Sequence, residues 1–206
     1  FDAALRTMVL HASEDVVPGP YTYKRFWFRD AAFILHAMLC AGLHERAGRV
    51  IERFPRRQRA DGYFHSQQGE WDSNGQVLWI LARWAALTGA PLDPAWRGPV
   101  EQAARWIQRK RCNAPQRLHH GLLPAGFSAE HLGNTDYYYW DDFWAAAGLR
   151  AAGTLCEAWG DVDRGRGFRE AGADLLRAVE TSLERSASIR LHDGIPDDPD
   201  LRAQTL

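Results

Sequence analysis

Apolar residues recur along this chain at helical spacing, and two kinds of segment alternate. One kind is apolar on nearly every side, which predicts a buried helix, and the other carries a single apolar stripe, which predicts a helix half exposed to solvent. The apolar segments are 31–43, 76–87 and 142–159. The striped segments are 3–12, 44–54, 95–111 and 166–185. The alternation predicts an all-α fold in which amphipathic helices back the buried ones.

The loops repeat together with the helices. A long loop precedes each buried helix, and a short turn at Gly42, Gly89 or Gly160 follows it. A repeat of helical hairpins predicts an inner and an outer ring, with all the long loops at one end. Loops longer than about 12–15 residues are uncommon unless they are functional. We therefore expect the chemistry of this protein at the loop end of the buried helices.

Composition narrows the class of protein. The chain has 206 residues, and no apolar run approaches the roughly 18 residues of a membrane span. Its formal charge of -1 provides no long-range attraction to nucleic acid or to anionic lipid. We expect a soluble protein without nucleic-acid or membrane partners. Three widely spaced cysteines predict free thiols and a reducing compartment, so a cytoplasmic location is expected.

Aromatic residues and carboxylates stand together just ahead of each buried helix. The three junctions contain Trp27, Arg29 and Asp30, then Glu70, Trp71 and Asp72, then Tyr139, Trp140, Asp141 and Asp142. Flat rings pack on the apolar face of a sugar, and charged groups bind its adjacent hydroxyls. If the helices are parallel, the three junctions face one shared pocket. This pattern predicts a carbohydrate site.

Each junction also has a purely structural interpretation. Asp30, and Asp72 or Ser73, can act as N-caps that accept hydrogen bonds from the first backbone N–H groups of a helix. Trp71 lies in a polar loop flanked by glycine, where a helical core does not need it. We therefore expect it to be a stacking platform for a ligand, and the alternative is packing over the helix ends.

The neighbouring Asp141 and Asp142 are candidates for acid chemistry. Burial among aromatic rings and mutual repulsion raise the pKa of at least one of them. A carboxyl group that stays protonated near neutral pH is the general acid that cleavage of a glycosidic bond requires. Side chains of neighbouring helical residues point about 100° apart, so one aspartate can cap the helix while the other faces the pocket. Glu130 and Asp136 are reserve candidates.

Other chemistries find little support in the sequence. His119, His120 and His131 fit no zinc spacing, so no metal is expected. Ser128 has no paired base in a nucleophile-elbow context. A glycine-rich phosphate loop is absent. We expect no cofactor.

Several motifs resemble one family in their order along the chain. The run Phe-Trp-Phe-Arg-Asp-Ala-Ala at 26–32 resembles the W-x-R-D-A signature that opens an inner helix of glucoamylase-type enzymes, glycoside hydrolase family 15 and its six-hairpin relatives. The stretches 58–62, 70–79 and 139–144 agree with that family in order and position. The ordered set is the specific signal, because each motif alone is weak.

The resemblance implies an (α/α)6 toroid that hydrolyses terminal α-glucosidic bonds of oligosaccharides with inversion. Arg29 and Asp30 would grip the terminal glucose. The family places its general acid in a W-E-E sequence, which Trp140-Asp141-Asp142 matches with Asp in place of Glu. This departure leaves the choice among Asp141, Asp142 and Glu130 open.

The same resemblance predicts that the catalytic set is incomplete. An inverting enzyme needs a second carboxylate roughly 6.5–9.5 Å from the acid to activate water. The family supplies that base from its fifth loop, and by the hairpin count residues 1–206 form part of one toroid, truncated in or near the fourth loop. We therefore expect the base beyond residue 206, and the sequence leaves the oligomeric state open.

Three alternatives to hydrolysis stay open at this point. A glucoamylase-like domain that only binds carbohydrate, in a regulatory role, fits the Asp-for-Glu replacement and the missing base. Another toroidal activity, such as a sugar epimerase or a polysaccharide lyase, would use His119, His120 or Tyr139 to carry the proton. A generic helical-repeat scaffold does not explain why aromatic residues and acids gather in the loops.

Overall fold

A computed structural model describes residues 1–12, 14–19, 21–127 and 135–193, with side chains up to residue 188. In these residues the protein is all-α, as predicted, and contains seven α-helices. They are α1 (Asp2–Leu10), α2 (Phe28–Cys40), α3 (His44–Ile51), α4 (Ser73–Thr88), α5 (Arg97–Lys110), α6 (Tyr139–Ala158) and α7 (Val162–Asp193). Two short 3-10 helices, Phe54–Arg57 and Pro94–Trp96, lie in the connections.

The helices pack as three consecutive hairpins. The apolar helices α2, α4 and α6 form a central row, with α4 between its two neighbours. The amphipathic helices lie against this row, because α3 contacts α2 and α4, α5 contacts α4 and α6, and α7 runs along α6. The order of buried and half-buried helices therefore agrees with the pattern of the sequence. In this arrangement the N-terminal ends of the three central helices carry the three junctions of aromatic residues and acids.

Each central helix begins three residues earlier than the sequence predicts. The predicted starts are residues 31, 76 and 142, whereas the helices begin at Phe28, Ser73 and Tyr139. The prediction assigned the acids and small polar residues ahead of each apolar run to the preceding loop and to the N-cap of the helix. In the structure no side chain caps any of these helices. The junction residues instead form the first turns, because their side chains make tertiary contacts.

A contact between two glycines sets the spacing of α4 and α6. A Cβ atom on Gly148 would lie 2.5 Å from the Cα atom of Gly75, and a Cβ atom on Gly75 would collide with the carbonyl group of Trp144. Only glycine at both positions permits such close backbone approach. Gly75 lies in the first turn of α4 and Gly148 near the middle of α6, so this contact packs the start of α4 closely against the second and third turns of α6.

The loop before α4 is fixed by buried polar side chains. Asn74 is fully buried, and its side chain accepts the Phe64 N–H at 2.7 Å and donates to the carbonyl oxygens of Gly62 and Ala103, each at 3.1 Å. The Phe28 N–H donates to Ser66 Oγ at 2.8 Å, which ties the same loop to α2. The loop therefore holds its acidic end in a defined position beside α2.

Within the described ranges, no helix is both long enough and apolar enough to cross a membrane. The three cysteines are free thiols, but the expectation that they are buried holds only for Cys156, because Cys112 is half-buried and Cys40 is exposed.

Candidate active site

An arginine and three carboxyl groups meet where the central helices begin. Arg29, the second residue of α2, donates from Nε to Asp72 Oδ2 at 3.0 Å, and its Nη2 lies 3.6 Å from Glu70 Oε1. The Asp72 and Glu70 side chains are only 3% and 5% exposed. Asp141, in the first turn of α6, completes the set, because the neighbouring Trp140 is bound to Asp72 through its indole N–H at 2.9 Å and Asp141 lies close enough for its pKa to respond to Asp72, Arg29 and Glu70. We call these four residues the carboxylate cluster.

Asp72 is hydrogen-bonded to all three central helices. Its Oδ2 accepts hydrogen bonds from Arg29 Nε at 3.0 Å, Gln76 Nε2 at 2.8 Å and Trp140 Nε1 at 2.9 Å. These donors come from all three central helices, so one oxygen atom joins the starts of α2, α4 and α6. Asp72 is the N-cap residue of α4 by position, but its side chain makes no capping bond; it accepts one bond from Gln76 of the same helix and two from α2 and α6.

Asp141 is buried in a different way. It is 6% exposed, and in the described part of the chain no hydrogen bond reaches its carboxyl group. Burial raises the pKa of Asp141 well above its ordinary value, repulsion from Asp72 and then from Asp142 adds to the rise, and Arg29 opposes it. The environment therefore favours the protonated acid.

Asp142 faces the loop before α6 and not the cluster. Its Oδ1 accepts the Leu123 N–H at 2.8 Å, and the residue is 1% exposed. Burial raises its pKa to about 7, although the Leu123 N–H and Arg111 favour the charged form. The expectation that one of the two aspartates caps α6 is wrong. Both lie inside the first turn, and the bond from Asp142 goes to the Leu123 backbone.

Trp140 supplies an exposed ring beside the cluster. It is 45% exposed, and its indole N–H is held by Asp72. On its other side the ring meets Trp144 edge-on at a centroid distance of 5.8 Å. Because the N–H is anchored, the exposed part of the indole has a defined orientation. It is a ring on which a sugar can stack.

Trp71 does not offer the open face that the sequence predicts. It is 6% exposed, and its indole N–H donates to the Ala125 carbonyl at 3.2 Å. Lys110 Nζ lies 4.0 Å from the ring centroid, and Trp106 packs at 5.9 Å. The loop folds back so that this ring packs on α5, which corresponds to the alternative of packing over the helix ends.

The remaining predicted residues lie around the cluster or apart from it. Asp30 is half-buried in the first turn of α2, where a negative charge is favoured by the helix dipole. Trp27 is half-buried with Arg25 5.5 Å from its ring centroid. The Tyr139 hydroxyl lies 2.9 Å from Ser182 Oγ, so this ring contributes to the packing of α6 on α7. Glu130 lies outside the described residues.

Two polar residues contribute to the site besides those of the cluster, and only one of them, Tyr63, was expected from the sequence as a possible hydrogen-bonding residue of the second loop. Gln76 is fully buried and donates to Asp72, and the Tyr63 hydroxyl lies 2.6 Å from the Glu70 carbonyl oxygen. The signal for Gln76 was present, since it is a polar residue at the start of an apolar helix and four positions after an acid. The sequence left open whether Tyr63 binds a ligand or supports the loop, and its hydroxyl donates to the carbonyl oxygens of Gln67 and Glu70, which is the loop-supporting role.

The histidines of the third loop form no metal site in the described ranges. His119 is 8% exposed and stacks on Tyr137 at a centroid distance of 4.1 Å. Among the residues that the structure describes, no group of three or more His, Cys, Asp and Glu side chains is arranged to hold a metal ion. His131 lies outside them.

Comparison of the chain with known protein families, with curated proteins and with solved structures finds no match.

Proposed function

We propose that the protein is a glycoside hydrolase that cleaves terminal α-glucosidic bonds of oligosaccharides, with Asp141 as the general acid. The state of Asp141 carries this proposal. Its carboxyl group is buried beside two other acids, has a strongly raised pKa and accepts no hydrogen bond from the described residues. A protonated acid next to an exposed tryptophan matches the need of a glycosidic oxygen for a proton during cleavage.

The roles proposed for Asp141 and Trp140 follow from their surroundings, and those proposed for Arg29 and Asp30 follow from the resemblance to glucoamylase-type enzymes. Asp141 donates its proton to the leaving oxygen as the bond to the anomeric carbon breaks. Trp140 supports one face of the sugar, and Arg29 with Asp30 binds its hydroxyl groups. Asp142 is the weaker candidate for the acid, because its oxygen holds the Leu123 N–H. Glu130 stays a third candidate.

Inversion requires a second carboxylate that activates water on the opposite side of the sugar. Asp72 is poorly suited to this role, since its Oδ2 already accepts three hydrogen bonds. We therefore retain the proposal that the base comes from beyond residue 206. The row of apolar helices backed by amphipathic ones supports the related proposal that the fold is part of an (α/α)6 toroid.

The test is an assay of the intact protein on maltose, isomaltose and trehalose, with Asp141→Asn and Asp142→Asn as separate variants. We expect Asp141→Asn to abolish turnover and Asp142→Asn to retain much of it, because an asparagine oxygen can still accept the Leu123 N–H. The anomer released first, followed by NMR, checks inversion. Full activity of Asp141→Asn would overturn the assignment of the acid.

A second candidate is a glucoamylase-like domain that binds sugar without turnover. One observation favours it: two of the acids in the cluster, Glu70 and Asp72, are in contact with Arg29, which is typical of a binding site held rigid by ion pairs. Calorimetry with the same sugars separates the two functions. Binding by the intact protein without any product supports the second candidate.

A further inference from the structure

We infer that Asp72 and Asp141 form a pair with a fixed division of roles, in which Asp72 keeps the negative charge and Asp141 keeps the proton. This inference deepens the proposed function and rests on it for its catalytic meaning. Asp72 is then a positioning residue, because it acts on the substrate only through Asp141 and Trp140. The proton assignment itself can be measured without any substrate.

The bonds of Asp72 identify it as the charged partner. Arg29, Gln76 and Trp140 all present N–H groups to Oδ2, at 3.0, 2.8 and 2.9 Å. A carboxylate oxygen can accept several such bonds, but a proton on the same oxygen would face three donors with no acceptor. One of the donors is a guanidinium, and hydrogen bonds between charged groups are the strong ones. The surroundings of Asp72 are therefore built for an anion.

The bonds of Asp141 identify it as the proton carrier. No described residue donates to its carboxyl group, and the residue is 94% shielded from water. An anion there would lack hydrogen bonds and most of its hydration, which is costly in a protein interior. The titratable groups that act on it from the surrounding elements are Arg29 of α2, Tyr63 and Glu70 of the second loop, Asp72 at the start of α4, Tyr138 before α6 and Asp142 of α6. Only Arg29 among these favours the anion.

The fold prevents the two carboxyl groups from relaxing apart. Asp72 directly precedes α4, whose first turn packs at backbone distance against Trp144 and Gly148 of α6. Trp140, next to Asp141 in the first turn of α6, is bound to Asp72 through its indole N–H at 2.9 Å. Repulsion between the two acids is therefore relieved by protonation of one of them and not by movement. Asp141 is the one that is protonated, because three N–H groups donate to Asp72 and no described residue donates to the Asp141 carboxyl group.

The indole of Trp140 connects this pair to the ligand side. Its N–H is bound to the same Asp72 oxygen that holds Arg29, while its ring is 45% exposed. Removal of the negative charge at residue 72 is thus expected to affect two properties at once: the proton affinity of Asp141 and the orientation of the stacking ring.

The experiment is a titration of the aspartate carboxyl carbons by NMR in the intact protein, with the Asp141 signal assigned by its loss in Asp141→Asn. In the wild type we expect Asp141 to titrate at a clearly higher pH than an exposed aspartate. In Asp72→Asn its midpoint should move to lower pH, and in Asp142→Asn it should move in the same direction by less. Asp163→Asn is the matched control, because Asp163 is 92% exposed on α7, and it should leave the midpoint unchanged.

Two further variants keep the test decisive if Asp72→Asn fails to fold. Glu70→Gln should lower the Asp141 midpoint slightly, whereas Arg29→Gln should raise it, because Arg29 is the cation that favours the anion. General loss of structure would not produce shifts of opposite sign. The indole N–H signal of Trp140, assigned with Trp140→Phe, should move in Asp72→Asn and in no control variant.

The inference is overturned if the high midpoint belongs to Asp72, or if the Asp141 midpoint stays in place in both Asp72→Asn and Glu70→Gln. These outcomes differ from a failure of the proposed function. If the protein shows the expected titration but hydrolyses no sugar, the inference about Asp72 and Asp141 stands and the proposed enzyme function is wrong. If the protein is an active enzyme and the alkaline limb of its kcat/KM profile stays at the same pH in Asp72→Asn, the proposed function stands and the inference about the pair is wrong.

Discussion

The buried carboxyl group of Asp142 makes the stability of this protein depend on pH, and the variant Asp142→Asn tests this dependence directly. The side chain is 1% exposed, and burial raises its pKa from 3.8 to about 7. Between these two pH values the folded protein keeps a proton that the unfolded chain has released. The free energy of unfolding therefore falls as the pH rises through this window, because the unfolded state binds fewer protons than the folded state.

The size of the effect follows from the pKa shift. One pKa unit corresponds to 1.36 kcal/mol, so a shift of roughly three units corresponds to about 4 kcal/mol of unfolding free energy. Asp141 adds a contribution of the same sign, since its pKa is also raised. Asparagine at 142 has no proton to lose and still offers an oxygen to the Leu123 N–H. It also removes part of the repulsion on Asp141.

The assay is urea unfolding followed by tryptophan fluorescence at intervals between pH 4 and pH 8. Near pH 4 we expect Asp142→Asn and the wild type to agree within about 1 kcal/mol, the net worth of a typical hydrogen bond. At pH 8 the variant should be the more stable protein, by up to about 4 kcal/mol. Asp163→Asn should follow the wild type throughout. A constant difference from pH 4 to pH 8, or a variant that is less stable at pH 8, would refute this reasoning.

Two further predictions concern packing and the loop before α4. Gly148→Ala places a Cβ atom 2.5 Å from Gly75 Cα and should destabilise the protein by about 1–3 kcal/mol, whereas Gly167→Ala, with no atom within 4 Å, should stabilise α7 by up to about 1 kcal/mol. Equal effects of the two in thermal unfolding would contradict the close approach. Tyr63→Phe removes a hydroxyl 2.6 Å from the Glu70 carbonyl oxygen and should cost about 1–3 kcal/mol. Tyr21→Phe, at an 89% exposed position, is its control in urea unfolding, and a matching loss there would argue against the buried bond.

The sequence predicted the positions of most helices, with a systematic error in where the three central helices begin. All seven helices overlap the segments in which the spacing of apolar residues predicts them, although α7 extends beyond the predicted 166–185 at both ends and α1 has no buried residue. The agreement for the others follows because burial of an apolar face is the main source of helix stability in a folded protein. The three central helices nevertheless start three residues early. Local rules assign Asp30 and Asp72 to caps, but these rules cannot know that Asp72 is bound by residues 43 and 68 positions away along the chain.

The sequence predicted which residues belong to the candidate site but not how they are arranged in space. Arg29, Glu70, Asp72, Trp140 and Asp141 were all predicted, and the structure brings them together. Trp71 was predicted on the same grounds as Trp140, yet one ring is buried on α5 and the other is exposed. An aromatic residue in a polar loop has no local preference that decides between these two environments.

By itself the sequence determined the helical class, the order of buried and half-buried helices, and the expectation that at least one of Asp141 and Asp142 has a raised pKa. These follow from local spacing and from the chemistry of neighbouring acids. Only the tertiary structure decided which aspartate faces the cluster and which one holds the Leu123 N–H. The reason is physical: the difference depends on donors from α2 and α4 and on the contact between Gly75 and Gly148, and these come together only when the helices pack.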